Sequence, residues 1–109
     1  YLLVWHYHDD DLDGPDAAVQ LIVDNLPAKF SRNAQLTHYR VDKENSNSYT
    51  TWLKMGSPIA PSNEQRTALL RAAELASIEN RKIKINKNST KLDFRLPRQG
   101  ISLVVIKSN

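Results

Sequence analysis

YLLVWHY, residues Tyr1–Tyr7, is the strongest secondary-structure signal in this chain of 109 residues. The run is almost unbroken in its apolar character, and it stops at the polar segment HDDD at 8–11. An apolar run of this length that is bounded by turn-forming residues predicts a strand buried on both faces. Its aromatic and β-branched residues favour a sheet over a helix. Because a domain seldom opens on its most buried strand, we expect the chain to be cut from a longer protein.

The composition indicates one globular domain and excludes several kinds of functional site. Charged residues make up 25% of the chain and hydrophobic residues 40%, which is ordinary for a globular domain. The chain has no cysteine, so disulfides, zinc–thiolate sites and cysteine nucleophiles are excluded. No apolar stretch approaches the length of a membrane-spanning helix, so we predict no membrane partner.

The net charge of +3 comes largely from basic residues clustered in Arg81–Lys91. A basic stretch can bind nucleic acid. Here, however, the lysines alternate with Ile83 and Ile85, as they do on the solvent face of an ordinary or edge strand, where they discourage aggregation. We therefore predict a solvated strand face and no nucleic-acid partner.

The first part of the chain reads as three strands. After the opening strand, the turn-forming segment Asp9–Pro15 precedes an alternating segment, Ala17–Val23. We predict that these two strands form a hairpin with a long acidic loop. Ala34–Asp42 predicts a third strand, in which residues two apart share a face. One face carries Thr37, Tyr39 and Val41, and the other carries His38 and Arg40.

Two helical segments follow. Ser48–Met55 has apolar residues at helical spacing, and Gly56 is suited to the left-handed conformation that ends a helix. The segment Ser62–Ser77 predicts the main helix, because Ser62 and Gln65 form the pattern of a capping box. Its apolar stripe is rich in alanine, so we expect this helix to lie close against a sheet or another domain.

Strands at Lys82–Asn86, Leu92–Leu96 and Ile101–Lys107 complete the chain, with a turn near Asn88. Strands are followed by helices and then by strands again, without the alternation of parallel α/β folds. The predicted fold class is mainly β: an antiparallel β-sandwich with one helical insertion at about residues 46–77.

The segment His6–Asp11 is the most reactive-looking cluster. Residues two apart on a strand share a face, so His6 and His8 are placed to converge on one metal ion. The aspartates supply oxygens for a hard cation, but the spacing of a calcium loop and its closing glutamate are missing. Hydrogen bonds to backbone groups explain these residues more simply, and we predict no metal and no cofactor.

No signature of catalysis is present in the chain. A glycosidase needs two carboxylates across the scissile bond, yet the glutamates lie in polar or helix-surface contexts. Three glycines are too few for a phosphate cradle. Tyr39, Tyr49 and Trp52 offer flat aromatic surfaces on which a sugar can stack, although core or interface packing is the more ordinary role for such residues.

Four segments in this order resemble the C-terminal region of glycoside hydrolase family 39 β-xylosidases and, more distantly, the region after the barrel of α-L-iduronidases. They are LLVWHYHDDDLDGPDA, LTHYRVDKENSNSYTTWLKMGSP, the helix after Pro61, and RLPRQGISLVVI. The resemblance covers nearly the whole chain. It implies that residues 1–109 form a single β-sandwich accessory domain of an enzyme whose catalytic (β/α)₈ barrel, with both catalytic glutamates, is not in this chain.

The resemblance also implies a site. In the family, a helix-containing loop of the sandwich lies near the active-site mouth of the barrel, and it corresponds here to Asp42–Pro61. The residues expected to contact substrate or barrel are Asn45, Asn47, Tyr49 and Trp52, with Asn45 standing where the family often has histidine. The expected partners are the barrel of the same polypeptide and a xylo-oligosaccharide. An independent carbohydrate-binding module is the alternative, and a cytoplasmic, periplasmic or secreted location is left open.

Overall fold

The computed structural model describes residues 1–30 and 32–108. In this part of the chain, six strands form two antiparallel sheets: β1 (Leu2–Trp5), β2 (Ala17–Val23), β3 (Asn33–Val41), β4 (Ala76–Lys84), β5 (Thr90–Leu96) and β6 (Ile101–Ser108). Two helices, α1 (Ser48–Lys54) and α2 (Asn63–Ala72), lie between β3 and β4, and a 3₁₀ turn covers Ala28–Phe30. The predicted fold class, a mainly β sandwich with a helical insertion, is confirmed.

The strand pairing differs from the prediction for the first two strands. The four-stranded sheet has the order β1-β6-β3-β4, and β2 pairs with β5 in the second sheet. The predicted β1–β2 hairpin is therefore wrong, because the acidic loop carries the chain from one sheet to the other. The pairing of β1 with β6 continues beyond Trp5, since the amide of His6 donates to the carbonyl of Gly100 at 3.0 Å.

The core lies between the inner faces of the two sheets. Half-buried side chains from β1, β2, β5 and β6 and from the segment before β3 pack against it, including Leu2, Leu21 and Phe94. Each fully buried aliphatic side chain contributes about 1.5–3 kcal/mol to stability. The buried members of this cluster are Ala34, Leu36, Ile83, Ile85, Leu92 and Val104.

β1 is buried on one face only. Leu2 and Val4 point inward and are half-buried, whereas Leu3 and Trp5 point outward and are 58% and 64% exposed. The prediction of burial on both faces is wrong, because none of the described residues forms a second layer over this outer face. β1 is thus an edge strand with an apolar outer surface.

The helices match the predicted insertion, with one correction. Gly56 follows α1 with a φ of +87°, which confirms the predicted left-handed ending. The capping box of Ser62 and Gln65 is present at the start of α2. However, α2 ends at Ala72 and the chain enters β4 at Ala76, so the predicted helix to Ser77 is too long. Sheet pairing of Ala76 with Arg40 draws these last residues away from the helix. α2 packs against α1 rather than on a sheet.

The turn between β4 and β5 connects the two sheets. Lys87 and Asn88 both have positive φ, at 48° and 60°, and Asn86 bridges to Ser89 across them. Two successive positive φ values define the two-residue turn that is preferred in tight hairpins. The predicted turn near Asn88 is confirmed, and its two flanking strands belong to different sheets.

Candidate functional site

The segment after β3 is built around the carboxylate of Asp42. Its Oδ1 accepts hydrogen bonds from the amides of Glu44 and Asn45, each at 2.8 Å, and from the side chain of Asn45 at 3.0 Å. The guanidinium of Arg40 lies 3.6 Å from the other oxygen, and both side chains are only 7% exposed. Burial alone would raise the pKa of Asp42, but these hydrogen bonds and the nearby positive charge hold it below its usual value. The loop is therefore organised by an ionised carboxylate.

Ser46 closes the base of the helical insertion. Its hydroxyl donates to the carbonyl of Arg40 at 2.7 Å and accepts from the amide of Ala76 at 2.7 Å. Arg40 and Ala76 are register partners on neighbouring strands. The chain therefore leaves β3 and enters β4 at almost the same point, and a single hydroxyl joins the two ends.

Asn47 is the N-cap of α1. Its side-chain oxygen accepts from the amide of Tyr49 at 3.0 Å and of Thr50 at 3.4 Å, and its amide group donates to the carbonyl of Asp42 at 3.0 Å. A capping asparagine satisfies amides that otherwise have no partner in the helix. Asn45 and Asn47, both expected to contact substrate or barrel, thus use their side chains to hold this loop together.

Tyr49 and Trp52 form the aromatic part of the site. Their rings stack with centroids 5.7 Å apart and planes inclined by 27°. The indole of Trp52 donates to the carbonyl of Pro58 at 3.0 Å, which fixes the ring, while Tyr49 is 62% exposed. The structure therefore brings together the four residues singled out by the sequence, two as loop organisers and two as an anchored aromatic pair.

A cavity of about 340 Å³ lies between this loop and the acidic loop that follows β1. Its lining includes Asn47, Lys43, Asp13 and Arg98. The guanidinium of Arg98 donates a hydrogen bond to the carboxylate of Asp10 at 2.6 Å, and the ammonium of Lys43 lies 3.6 Å from the carboxylate of Asp13. The backbone amide of Leu12 also donates a hydrogen bond to this carboxylate of Asp10. That hydrogen bond and the contact with Arg98 lower the pKa of Asp10. The cavity is thus lined by charges of both signs.

The rings of His6 and His8 contact each other edge to face. Their Nε2 atoms are 2.8 Å apart, and Nδ1 of His6 lies 3.1 Å from the carbonyl of Leu96. Since a carbonyl only accepts, His6 donates from Nδ1 to Leu96, and its other ring nitrogen is taken up by His8. Among residues 1–30 and 32–108, no group of three or more histidine, aspartate or glutamate side chains is arranged to hold a metal ion.

A polar network in the core went unnoticed at the level of sequence. His38, Arg40 and Ser102 are all buried, and the Ser102 hydroxyl lies 2.8 Å from Nε2 of His38 and 3.1 Å from Nε of Arg40. Arg40 also donates to the carbonyl of Arg95 in the opposite sheet at 3.0 Å. Burial, assisted by the charge of Arg40, lowers the pKa of His38. The only sequence signal was the pairing of His38 and Arg40 on one strand face.

Comparison with solved structures shows that this fold occurs within much longer glycoside hydrolases. The chain is similar to the GH39 enzyme from Xanthomonas axonopodis pv. citri, with a TM-score of 0.83 and 16% identity over 98% of this chain. It is also similar to a monomeric β-xylosidase from Caulobacter crescentus CB15, with a TM-score of 0.74 and 17% identity over 96%. A bacterial orthologue of human α-L-iduronidase gives a TM-score of 0.73 and 19% identity over 92%.

These similarities establish a shared fold, which is the fold that the sequence resemblance implied. The chain spans only 23%, 23% and 18% of the three neighbouring chains, so each contains far more than this domain. No protein-family model and no curated protein sequence matches the chain. In addition, none of the helices in the described residues is long and apolar enough to cross a membrane.

Proposed function

We propose that this chain is a non-catalytic accessory domain of a glycoside hydrolase of the family 39 β-xylosidase type. The single observation that carries the proposal is the fold match, which covers 98% of this chain and 23% of a GH39 enzyme. A domain that recurs as a minor part of longer glycosidases is expected to serve the catalytic part of the same polypeptide. The ordered motifs that resemble the family support the same assignment.

The proposed parent enzyme hydrolyses β-1,4-xylosides with retention of configuration, in the degradation of xylan, on a (β/α)₈ barrel outside this chain. The domain buttresses that barrel. The arrangement of Asp42 and Asn47 supports a second role for the loop at 42–61, because both side chains hold it in one conformation. We assign to the stacked pair Tyr49 and Trp52 the wall of the active-site mouth, where a sugar ring can lie against the exposed tyrosine.

The test compares this chain with the longer polypeptide that carries it. We expect the 109-residue chain to fold and to leave an aryl β-xyloside intact. We expect the longer polypeptide to hydrolyse it and to lose that activity when a barrel glutamate is replaced by glutamine. Turnover by the isolated chain that a point substitution within it abolishes would overturn the non-catalytic assignment, and a longer polypeptide without a glycosidase domain would overturn the parent assignment.

An independent carbohydrate-binding module is the second candidate, and the exposure of Tyr49 next to an anchored Trp52 is the observation in its favour. Titration of the isolated chain with xylohexaose, followed through the amide and indole signals of Trp5 and Trp52, separates the two. Saturable shifts at millimolar sugar support the module. Unchanged signals support an accessory domain that acts only together with its barrel.

A further inference from the structure

The outer surface of the four-stranded sheet carries a continuous apolar patch. Cross-strand pairing of β1, β6 and β3 places three apolar side chains in each of two adjacent rows. We call the six residues of these rows the outer face. They are Trp5, Ile101 and Val41 in one row and Leu3, Leu103 and Tyr39 in the next.

The outer face is large for the surface of one small domain. Tyr1 and Tyr7 continue the outward positions of β1, and with Trp5 they are 89%, 69% and 64% exposed. At about 200 Å² for a fully exposed aromatic side chain, these three alone present about 400 Å². The outer face together with Tyr1 and Tyr7 therefore presents an apolar area of about 600 Å², at the upper end of the largest patch found on a typical monomer.

The second sheet shows how a solvated outer surface differs. There, Gln20 of β2 lies opposite Asp93 of β5, and Ile22 lies opposite Lys91. Each of these two outward-facing pairs therefore contains a charged residue. Lys91 and Asp93 also lie 3.8 Å apart as an exposed ion pair. No position of the outer face is charged, although strand edges and faces that remain in water are normally protected by charge. The contrast indicates that the outer face is covered in the working protein.

The size of the outer face favours a domain of the same polypeptide as its cover. Two matched surfaces of this size bury about 1,200 Å² in total, which is within the range of interfaces between domains of one chain. Obligate dimers usually bury about 2,000 Å² or more. A covalent connection raises the effective concentration of the partner, so that a modest apolar interface is sufficient.

We propose that the outer face is the surface on which this domain packs against the catalytic domain of the same polypeptide. The inference rests on the proposed function and adds the location of the contact. The partner surface is expected to be apolar and uncharged at its centre, because a charge opposite Leu3 and Trp5 would be buried without a partner. With the outer face as the main contact, the helical insertion, in which α2 packs on α1, is free to face the active-site mouth.

Hydroxyl-radical footprinting with peptide mass spectrometry tests this location. Trp5 and Tyr7 are expected to be labelled at least fivefold more slowly in the longer polypeptide than in the isolated chain. Ile22, which is 57% exposed on the other sheet, serves as the control and is expected to keep its rate. Equal labelling of Trp5 in the two proteins overturns the proposal. Protection in the isolated chain that increases with protein concentration, or with xylohexaose, also overturns it and identifies a second copy or a sugar as the occupant.

A matched pair of substitutions tests the energetics. Leu3→Glu and Ile22→Glu place the same charge at outward strand positions that are 58% and 57% exposed. In the longer polypeptide, Leu3→Glu is expected to restore the labelling of Trp5 to the rate of the isolated chain, and Ile22→Glu is expected to change nothing. Val41→Lys repeats the test from β3 if the β1 variant does not fold. Protection that survives both outer-face substitutions overturns the proposal.

Failure of this inference is distinct from failure of the proposed function. A longer polypeptide that hydrolyses xylosides while Trp5 remains reactive refutes only the location of the contact. A longer polypeptide that lacks a glycosidase domain refutes the proposed function, whatever covers the outer face.

Discussion

His38 and Ser102 share a hydrogen bond of 2.8 Å inside the sandwich, and it joins β3 to β6. Arg40 donates its Nε hydrogen to the same hydroxyl, so Ser102 contacts both buried side chains of β3. Burial, assisted by the charge of Arg40, lowers the pKa of His38 and so favours the neutral imidazole. Phe94 from the opposite sheet contacts it edge-on with ring centroids 4.7 Å apart, which leaves little room for the water that a charged imidazole would need.

This neutral histidine is expected to make the domain less stable as the pH falls. Burial lowers the pKa of His38 in the folded state, whereas in the unfolded chain it is about 6.5. Below about pH 6.5 the unfolded state binds more protons, so the free energy of unfolding decreases with falling pH until the folded-state pKa is reached. Urea titrations between pH 8 and pH 5 measure this slope.

The matched variants are His38→Gln and Ser102→Ala. His38→Gln removes the titrating group, so the slope contributed by this site between pH 6.5 and 5 is expected to disappear, even though the variant is less stable at every pH. Ser102→Ala leaves the buried imidazole in place and is expected to keep the slope at lower overall stability. A slope unchanged by His38→Gln would contradict the assignment.

Asp42→Asn is expected to destabilise the domain at neutral pH by about 1–3 kcal/mol, the usual loss when bonds to a buried ionised group are removed. Because the folded-state pKa of Asp42 is lowered, its contribution is present above about pH 4 and lost as the pH falls through the folded value. Asp13→Asn is the control. Its ion pair with Lys43 is almost fully exposed, so we expect a change below about 0.5 kcal/mol. Equal effects of the two substitutions would refute the organising role of Asp42.

Gly56→Ala is expected to destabilise the domain by about 1 kcal/mol through backbone conformation alone. The φ of Gly56 is +87°, and a methyl group there would meet no atom within 4 Å. Gly56→Asn is expected to lose less, because asparagine tolerates the left-handed region better than alanine. Thermal unfolding of the three proteins measures the order, and an alanine variant as stable as the original would exclude conformational strain at this position.

Tyr49→Ala is expected to raise the KM of the longer polypeptide for xylo-oligosaccharides about fivefold, which corresponds to the loss of about 1 kcal/mol of aromatic contact. The stability of the domain should change little because Tyr49 is mostly exposed. Leu70→Ala, at another exposed position in the helical insertion, is the control and should leave KM unchanged. A Tyr49 variant with normal KM would remove this residue from the proposed mouth.

The fold class was predictable because most strands alternate, and alternation survives in a single sequence. β2 shows this well, with Val19, Leu21 and Val23 pointing to the core side. Strand partners were not predictable in the same way. β1 and β2 are adjacent in sequence, yet each pairs with a strand about 70–100 residues away, and nothing local to either strand specifies that choice.

Burial was harder to predict where both faces of a strand are alike. β1 is apolar on both faces, so its pattern could not indicate that Leu3 and Trp5 lie outside. In β3 the difficulty is reversed, because His38 and Arg40 look suited to water but lie in the core, where Ser102 and the backbone carbonyl of Arg95 offer partners. The partners come from distant strands, and for that reason the polar network has no local signature.

The hydroxyl of Ser46 ties the carbonyl of Arg40 to the amide of Ala76, so the two ends of the helical insertion are held one strand spacing apart. A segment closed in this way adds little constraint on the sheets, and changes in its length carry only a small entropic penalty. During divergence, residues between β3 and β4 are then free to be lengthened, shortened or exchanged while the register of both sheets stays the same. The sandwich becomes a fixed frame, and the insertion becomes the part in which new recognition can arise.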